Sequence, residues 1–173
     1  TAANDFYWGF NMLDPVVGGD SERARKLRQA IALAIDTEEF ISIFLNGRGI
    51  SAQSPIPPGI FGYQSGQAGL NPYIYNWERN HAVRKDIALA KQLLVEAGYP
   101  NGRDPKTAKP LLLNYDLASG GTADDKATLA WMREQFAKLG IDLHIRGTQY
   151  NRFQEIVRTG QAQIYFWGWN ADY

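Results

Sequence analysis

The sequence ends on Ile164-Tyr165-Phe166-Trp167-Gly168-Trp169-Asn170-Ala171-Asp172-Tyr173, an aromatic run that closes with an indole and a carboxylate three positions apart. A carboxylate can pair with a ligand cation such as an ammonium, and an indole adds apolar contact or cation–π attraction. Trp169 and Asp172 are therefore candidate ligand-binding residues. Spacing alone reads Asp172 equally well as a turn or cap residue, and Trp167 as ordinary core.

Other chemistries find less support. His81 and His144 are far apart in sequence and there is no cysteine, so no metal site is expected. No P-loop, G-x-G-x-x-G or G-x-S-x-G pattern occurs, which removes the usual nucleotide cradles and the hydrolase elbow. Asp124 and Asp125 project in different directions from a helix start and suit its dipole better than paired acid–base work. Arg23, Arg25, Lys26 and Arg28 form the one basic cluster, without interleaved aromatic residues, so a solvated helix face is expected rather than nucleic-acid binding.

These residues need a scaffold. The alternation of Tyr165, Trp167 and Trp169 with Ile164, Phe166 and Gly168 makes both faces of the last strand apolar, which predicts a central position in a sheet. Further strands are expected at Phe6–Met12, at Leu111-Leu112-Leu113, and at Ile141–Arg146, the last with one wet face near a sheet edge. Helices are expected after Ser21 with Leu27, Ala30, Ile31 and Ala34 inward, and after Asp36 with Phe40, Ile43 and Phe44 inward. Others are expected over about 82–97, from Thr122 to Leu139, and from Asn151 to a stop at Gly160. About 47–80 reads as a long loop containing Pro55, Pro57, Pro58 and Pro72. The β-α-β-α-β order from Leu111 onward predicts an α/β fold with a mostly parallel sheet and flanking helices. Ligands of such sheets sit beyond the carboxyl ends of the strands.

The bulk numbers agree with one globular unit. The chain has 173 residues, 45% hydrophobic and 13% aromatic, enough for a core in a single domain. Eighteen basic and eighteen acidic side chains cancel, so there is no overall field to draw in a polyanion. The chain opens on Thr1-Ala2-Ala3 without Met and reaches strand-like residues at once, so it is expected to be a piece of a longer protein.

The stretches Gly9-Phe10-Asn11-Met12, "RKLRQAIALAID" with "EEFI", "SPIPPG", "DIALAKQLLVEAGYPNG" and "FWGWNADY" stand in an order that resembles the bacterial extracellular solute-binding proteins of family 5. The resemblance runs over essentially the whole chain and implies residues 1–173 to be a single α/β lobe of a type II periplasmic-binding-protein-like fold. It identifies the C-terminal lobe, whose cleft would face a missing N-terminal lobe of the same protein. It implies a non-enzymatic receptor, periplasmic or a cell-surface lipoprotein, that closes over a peptide or other small solute and delivers it to an ABC permease. No cofactor, metal or nucleic acid is implied. By the resemblance Asp172 pairs with a peptide's free amino group, Trp169 lines a side-chain pocket, and Asn11 lies near the cleft. The arginine that some oligopeptide binders carry three residues before that Trp is Phe166 here, so a carboxylate clamp is absent at that point. An alternative within the same resemblance is the ligand-sensing domain of a transcriptional regulator, and an α/β enzyme is a third reading. Upstream sequence separates the first two: a secretory signal against a helix-turn-helix.

Overall fold

Aromatic-rich segments near the two ends of the sequence, Ala3–Phe10 and Ile164–Ala171, pair with each other along their length. The computed structural model describes residues 3–45, 69–118 and 123–171, with side chains over 7–45, 69–118 and 126–167. In chain order the elements are β1 (Ala3–Phe10), α1 (Glu22–Ala34), α2 (Thr37–Phe44), β2 (Tyr75–Glu78), β3 (His81–Arg84), α3 (Ile87–Glu96), β4 (Arg103–Asp104) and β5 (Lys109–Pro110). They continue with β6 (Leu112–Ala118), α4 (Ala123–Ala137), β7 (Asp142–Thr148), α5 (Tyr150–Arg158) and β8 (Ile164–Ala171).

The main sheet has the order β1-β8-β6-β7. β8, β6 and β7 are parallel, and β1 joins antiparallel on the outside of β8. The mostly parallel α/β architecture, the central last strand and the edge position of β7 are as expected. Leu113, Tyr115 and Leu117 of β6 with Ile164 of β8 face Leu27 and Ile31 of α1 and Met132 and Phe136 of α4 in one buried core. Each such side chain contributes roughly 1.5–3 kcal/mol by leaving water. An aromatic cluster extends this core toward α2: Trp8 meets Phe40, Phe166 and Trp131 at ring separations of 5.5, 5.3 and 6.4 Å. α5 covers the opposite face, where Phe153 packs on Trp167.

The starts of α1 and α2 follow the sequence signals. Ser21 Oγ accepts from the Ala24 amide and Asp36 Oδ1 from the Glu39 amide, each satisfying a donor that the first turn leaves free. Four expectations need correction. The segment expected as helix from about 82 is a β-hairpin up to Arg84, and α3 starts only at Ile87 behind the Asp86 cap, which accepts from the Ala88 amide. The loop expected over about 47–80 contains β2, while its first part lies outside the described residues. The first strand spans Ala3–Phe10 rather than Phe6–Met12, because the Asn11–Val17 turn begins earlier. α5 starts at Tyr150 behind Gln149, so Asn151 lies inside the helix and is not its cap.

Arg84 holds the hairpin on α1 and α2. Its guanidinium donates to Glu38 Oε2 at 2.8 Å, Thr37 Oγ1 at 2.8 Å and the Leu33 carbonyl at 3.1 Å, while the Tyr75 hydroxyl donates to Glu38 Oε1 at 2.7 Å. Burial by itself would raise the Glu38 pKa. The Tyr75 hydroxyl and the Arg84 charge outweigh it, and the carboxyl titrates below its ordinary value. The stabilisation is therefore present above the ordinary carboxyl range and is lost as pH falls through the lowered folded value. Glu38→Gln should flatten the acid limb of stability against pH, read by urea unfolding from about pH 6 down to about pH 3. An unchanged slope would count against this latch.

Two glycines let backbones touch where α4 ends. Gly140 and Gly102 each have φ +75°, and an added Cβ at Gly140 would stand 2.3 Å from the Asn101 carbonyl oxygen. Gly19 has φ +86° but open space around it. Gly140→Ala combines backbone strain with a clash against main chain, so it should destabilise by well over about 1 kcal/mol. Gly19→Ala, which meets strain alone, should cost clearly less in the same unfolding measurement.

Candidate functional site

β8 is paired differently on its two sides. Toward β1 the register runs the whole strand, from Phe10↔Ile164 to Ala3↔Ala171. Toward β6 it holds only three pairs, Tyr115↔Ile164, Asp116↔Tyr165 and Leu117↔Phe166. The β6–β8 pairing ends at Leu117↔Phe166, and among the described residues no strand is paired to that side of Trp167–Ala171. The end of this pairing lies at the carboxyl end of β6, and the carboxyl-terminal part of β8 runs on beyond it toward the side where a sheet of this kind opens a crevice.

The walls of this mouth are aromatic. Trp167 packs on Phe153 of α5 with ring centroids 5.0 Å apart and meets the exposed Tyr150 edge-on at 6.4 Å. Tyr150 opens α5, which follows the carboxyl end of β7 directly. The Thr148 hydroxyl at that end is buried without a hydrogen-bond partner.

An ion pair with a buried carboxylate stands beside the mouth. Asp116 of β6 is fully buried, and its neighbour in register, Arg146 of β7, donates to it through Nε at 2.5 Å and through Nη2 at 3.3 Å. Arg146 also reaches the Gln161 carbonyl just ahead of β8. The pair thus ties together the three parallel strands next to the point where the β6–β8 pairing ends.

The structure does not gather all the residues singled out from the sequence. Trp169 occupies β8 two positions beyond Trp167, in register with Asp5. Asp172 lies outside the described residues. Asn11 stands at the other end of β8: its amide donates to the Gln163 carbonyl, six residues and so about 20 Å of strand from Trp169. Its side-chain nitrogen donates to the Gly160 and Ala162 carbonyls, and its oxygen accepts from the Leu13 amide. Asn11 is thus committed to the turn after β1 and is not at the mouth.

The basic cluster of α1 is also largely committed. Arg23 donates to the Ala97 carbonyl, Arg28 donates to the Val17 carbonyl, and Lys26 pairs with Glu22 and Glu96. These cations bind α1 to its neighbours. Among the described residues no three His, Asp or Glu side chains converge to hold a metal ion. The Tyr150 contact and the Asp116–Arg146 pair were missed from sequence, since both depend on which strand lies beside which.

The family model described as bacterial extracellular solute-binding proteins, family 5 Middle, matches residues 2–173. Heme-binding protein A of Haemophilus influenzae is 27% identical over 148 residues, covering 85% of this chain and 24% of that protein. The dipeptide-binding protein of Escherichia coli K12 is 24% identical over 147 residues, with the same coverage of both chains. The chain thus spans about a quarter of the length of these curated relatives.

Among solved structures, the periplasmic binding protein DppA of Helicobacter pylori, in complex with the peptide STSA, superposes with a TM-score of 0.72. It is 24% identical, and the match covers 98% of this chain and 27% of that one. The dipeptide-binding protein of Pseudoalteromonas sp. SM9913, in complex with Met-Leu, gives 0.69 at 25% identity, over 98% of this chain and 29% of that one. With the family model matching nearly the whole of this chain and the same fold in these binding proteins, the chain belongs to the bacterial extracellular solute-binding proteins of family 5.

Proposed function

We propose that this chain is one lobe of an ABC-importer receptor that captures oligopeptides or related small solutes against a second lobe and hands them to a membrane permease. The reading places the whole protein in the periplasm or on the cell surface and assigns it no chemical turnover. It takes residues 1–173 as a single lobe, the C-terminal one, with the N-terminal lobe supplied by the same polypeptide.

The observation that carries it is the side of β8 beyond Phe166, to which no strand is paired among the described residues. A strand edge that can offer N–H and C=O groups suits a ligand that is itself extended and carries main-chain donors and acceptors. A peptide has that chemistry. Trp167 and Tyr150, joined by Trp169, supply apolar contact for its side chains, and Asp172 supplies an anionic partner for its ammonium group. Closure of the second lobe would exclude water and strengthen these polar contacts.

Mass spectrometry of small molecules released from the purified full-length protein tests the reading. Di- to oligopeptides are expected. Recovery of a stoichiometric compound without peptide bonds, together with no calorimetric response to peptides, would overturn it.

A further inference from the structure

Gln163 stands immediately before β8 and bonds in three directions. Its Oε1 accepts from the Asn114 amide at 2.8 Å, its Nε2 donates to Asp14 Oδ2 at 3.0 Å, and its carbonyl accepts from the Asn11 amide at 2.9 Å. The register Tyr115↔Ile164 would make Asn114 and Gln163 the next partners of the β6–β8 ladder. The Gln163 side chain takes that place and adds one cross-strand bond to a ladder of only three pairs. Asp14 is fixed in turn, because the same Oδ2 accepts from the Val16 and Val17 amides. Asn11 closes the network on the Gly160 and Ala162 carbonyls.

We propose that Gln163 is a positioning residue for the ligand mouth: with Asp14 and Asn11 it locks the register of β8 from its amino end, and so fixes which groups the strand presents at its carboxyl end. The inference rests on the peptide-receptor reading for its link to binding, although the lock itself does not. A strand's side-chain period is two, so a slip by one residue would exchange its faces. β8 is open to such error, since among the described residues Trp167–Ala171 are paired with β1 alone. Bonds from Gln163 to β6 and to the β1 turn couple both neighbours of β8 at one point. The contribution is geometric, because Gln163 lies about 20 Å of strand from Trp169 and cannot touch what binds there.

The test uses the full-length protein and two readouts at a temperature where circular dichroism shows the native state. Hydrogen exchange is followed over residues 164–171 and over α1, and calorimetry follows affinity for alanyl-alanine. Gln163→Leu should speed exchange in 164–171 by about tenfold or more while α1 is unchanged, and should weaken dipeptide affinity by about tenfold. Gln163→Glu, which sets two carboxylates together, serves if the leucine variant does not fold and should fall between wild type and the values expected of that variant.

Exchange that stays at the wild-type rate in 164–171, or that rises equally in α1, would overturn the lock. A wild-type protein that ignores alanyl-alanine would count against the peptide reading, while the exchange result still decides the lock. Altered exchange with unaltered affinity would overturn the link to binding.

Discussion

Arg146→Met is expected to cost the full-length protein about 3–5 kcal/mol of unfolding free energy, measured by urea titration, because it strands a buried carboxylate. Asp116 is fully buried and the Arg146 guanidinium is the charge that faces it, whereas the Arg146 side chain is 42% exposed. The two ends of the pair should therefore respond unequally. Asp116→Asn leaves an arginine that can turn toward water and keeps an oxygen acceptor, so it should cost clearly less. Replacing both, as Asp116→Leu with Arg146→Met, should recover most of the loss, since a well-packed apolar pair is often as stable as a buried ionic one. A cost below about 1 kcal/mol for Arg146→Met would show that the carboxylate does not depend on this partner. The effect should reach the mouth as well, because Asp116 neighbours Tyr165 in the short β6–β8 ladder.

Where the sequence was readable, the signals were local. Ser21 and Asp36 announced their helices because capping is a matter of two or three residues, and both side chains make the expected bonds. The apolar pattern of Ile164–Trp169 announced a central strand, because a strand covered on both faces must be apolar on both. The β2–β3 hairpin was missed since its turn, Arg79-Asn80, reaches positive φ at both positions without the glycine that usually marks it. Asp86, three residues after Val83, was the available sign that the helix begins later.

The site was less legible than the fold. Asn11 is a polar residue in a family-like stretch, and only the register of β1 on β8 reveals that it lies at the far end of the strand from Trp169. Gln163, Asp116 and Arg146 gave no signal at all. Each acts across strands that are distant in sequence, and pairing is set by the whole hydrophobic pattern rather than by neighbours. Local propensity therefore located the strand that carries the proposed ligand contacts, while the bonds that aim it required the assembled sheet.

The Asp172 carboxylate is assigned the ligand's ammonium group in the proposed reading, and its removal should give the largest change in binding. In the full-length protein, Asp172→Asn should weaken alanyl-alanine affinity about 30-fold or more, the effect of leaving one charge of an enclosed pair without its partner. N-acetyl-alanyl-alanine carries no cation, so wild type and variant should bind it alike and weakly. The pH dependence separates this role from a change in shape. A free α-amino group loses its proton near about pH 8, so wild-type affinity should fall as pH rises beyond that point, whereas the variant's should stay nearly level. Equal affinities of wild type and Asp172→Asn for the unblocked dipeptide would withdraw the assignment. Parallel pH profiles would do the same, because a carboxylate that pairs with the ammonium must register its loss.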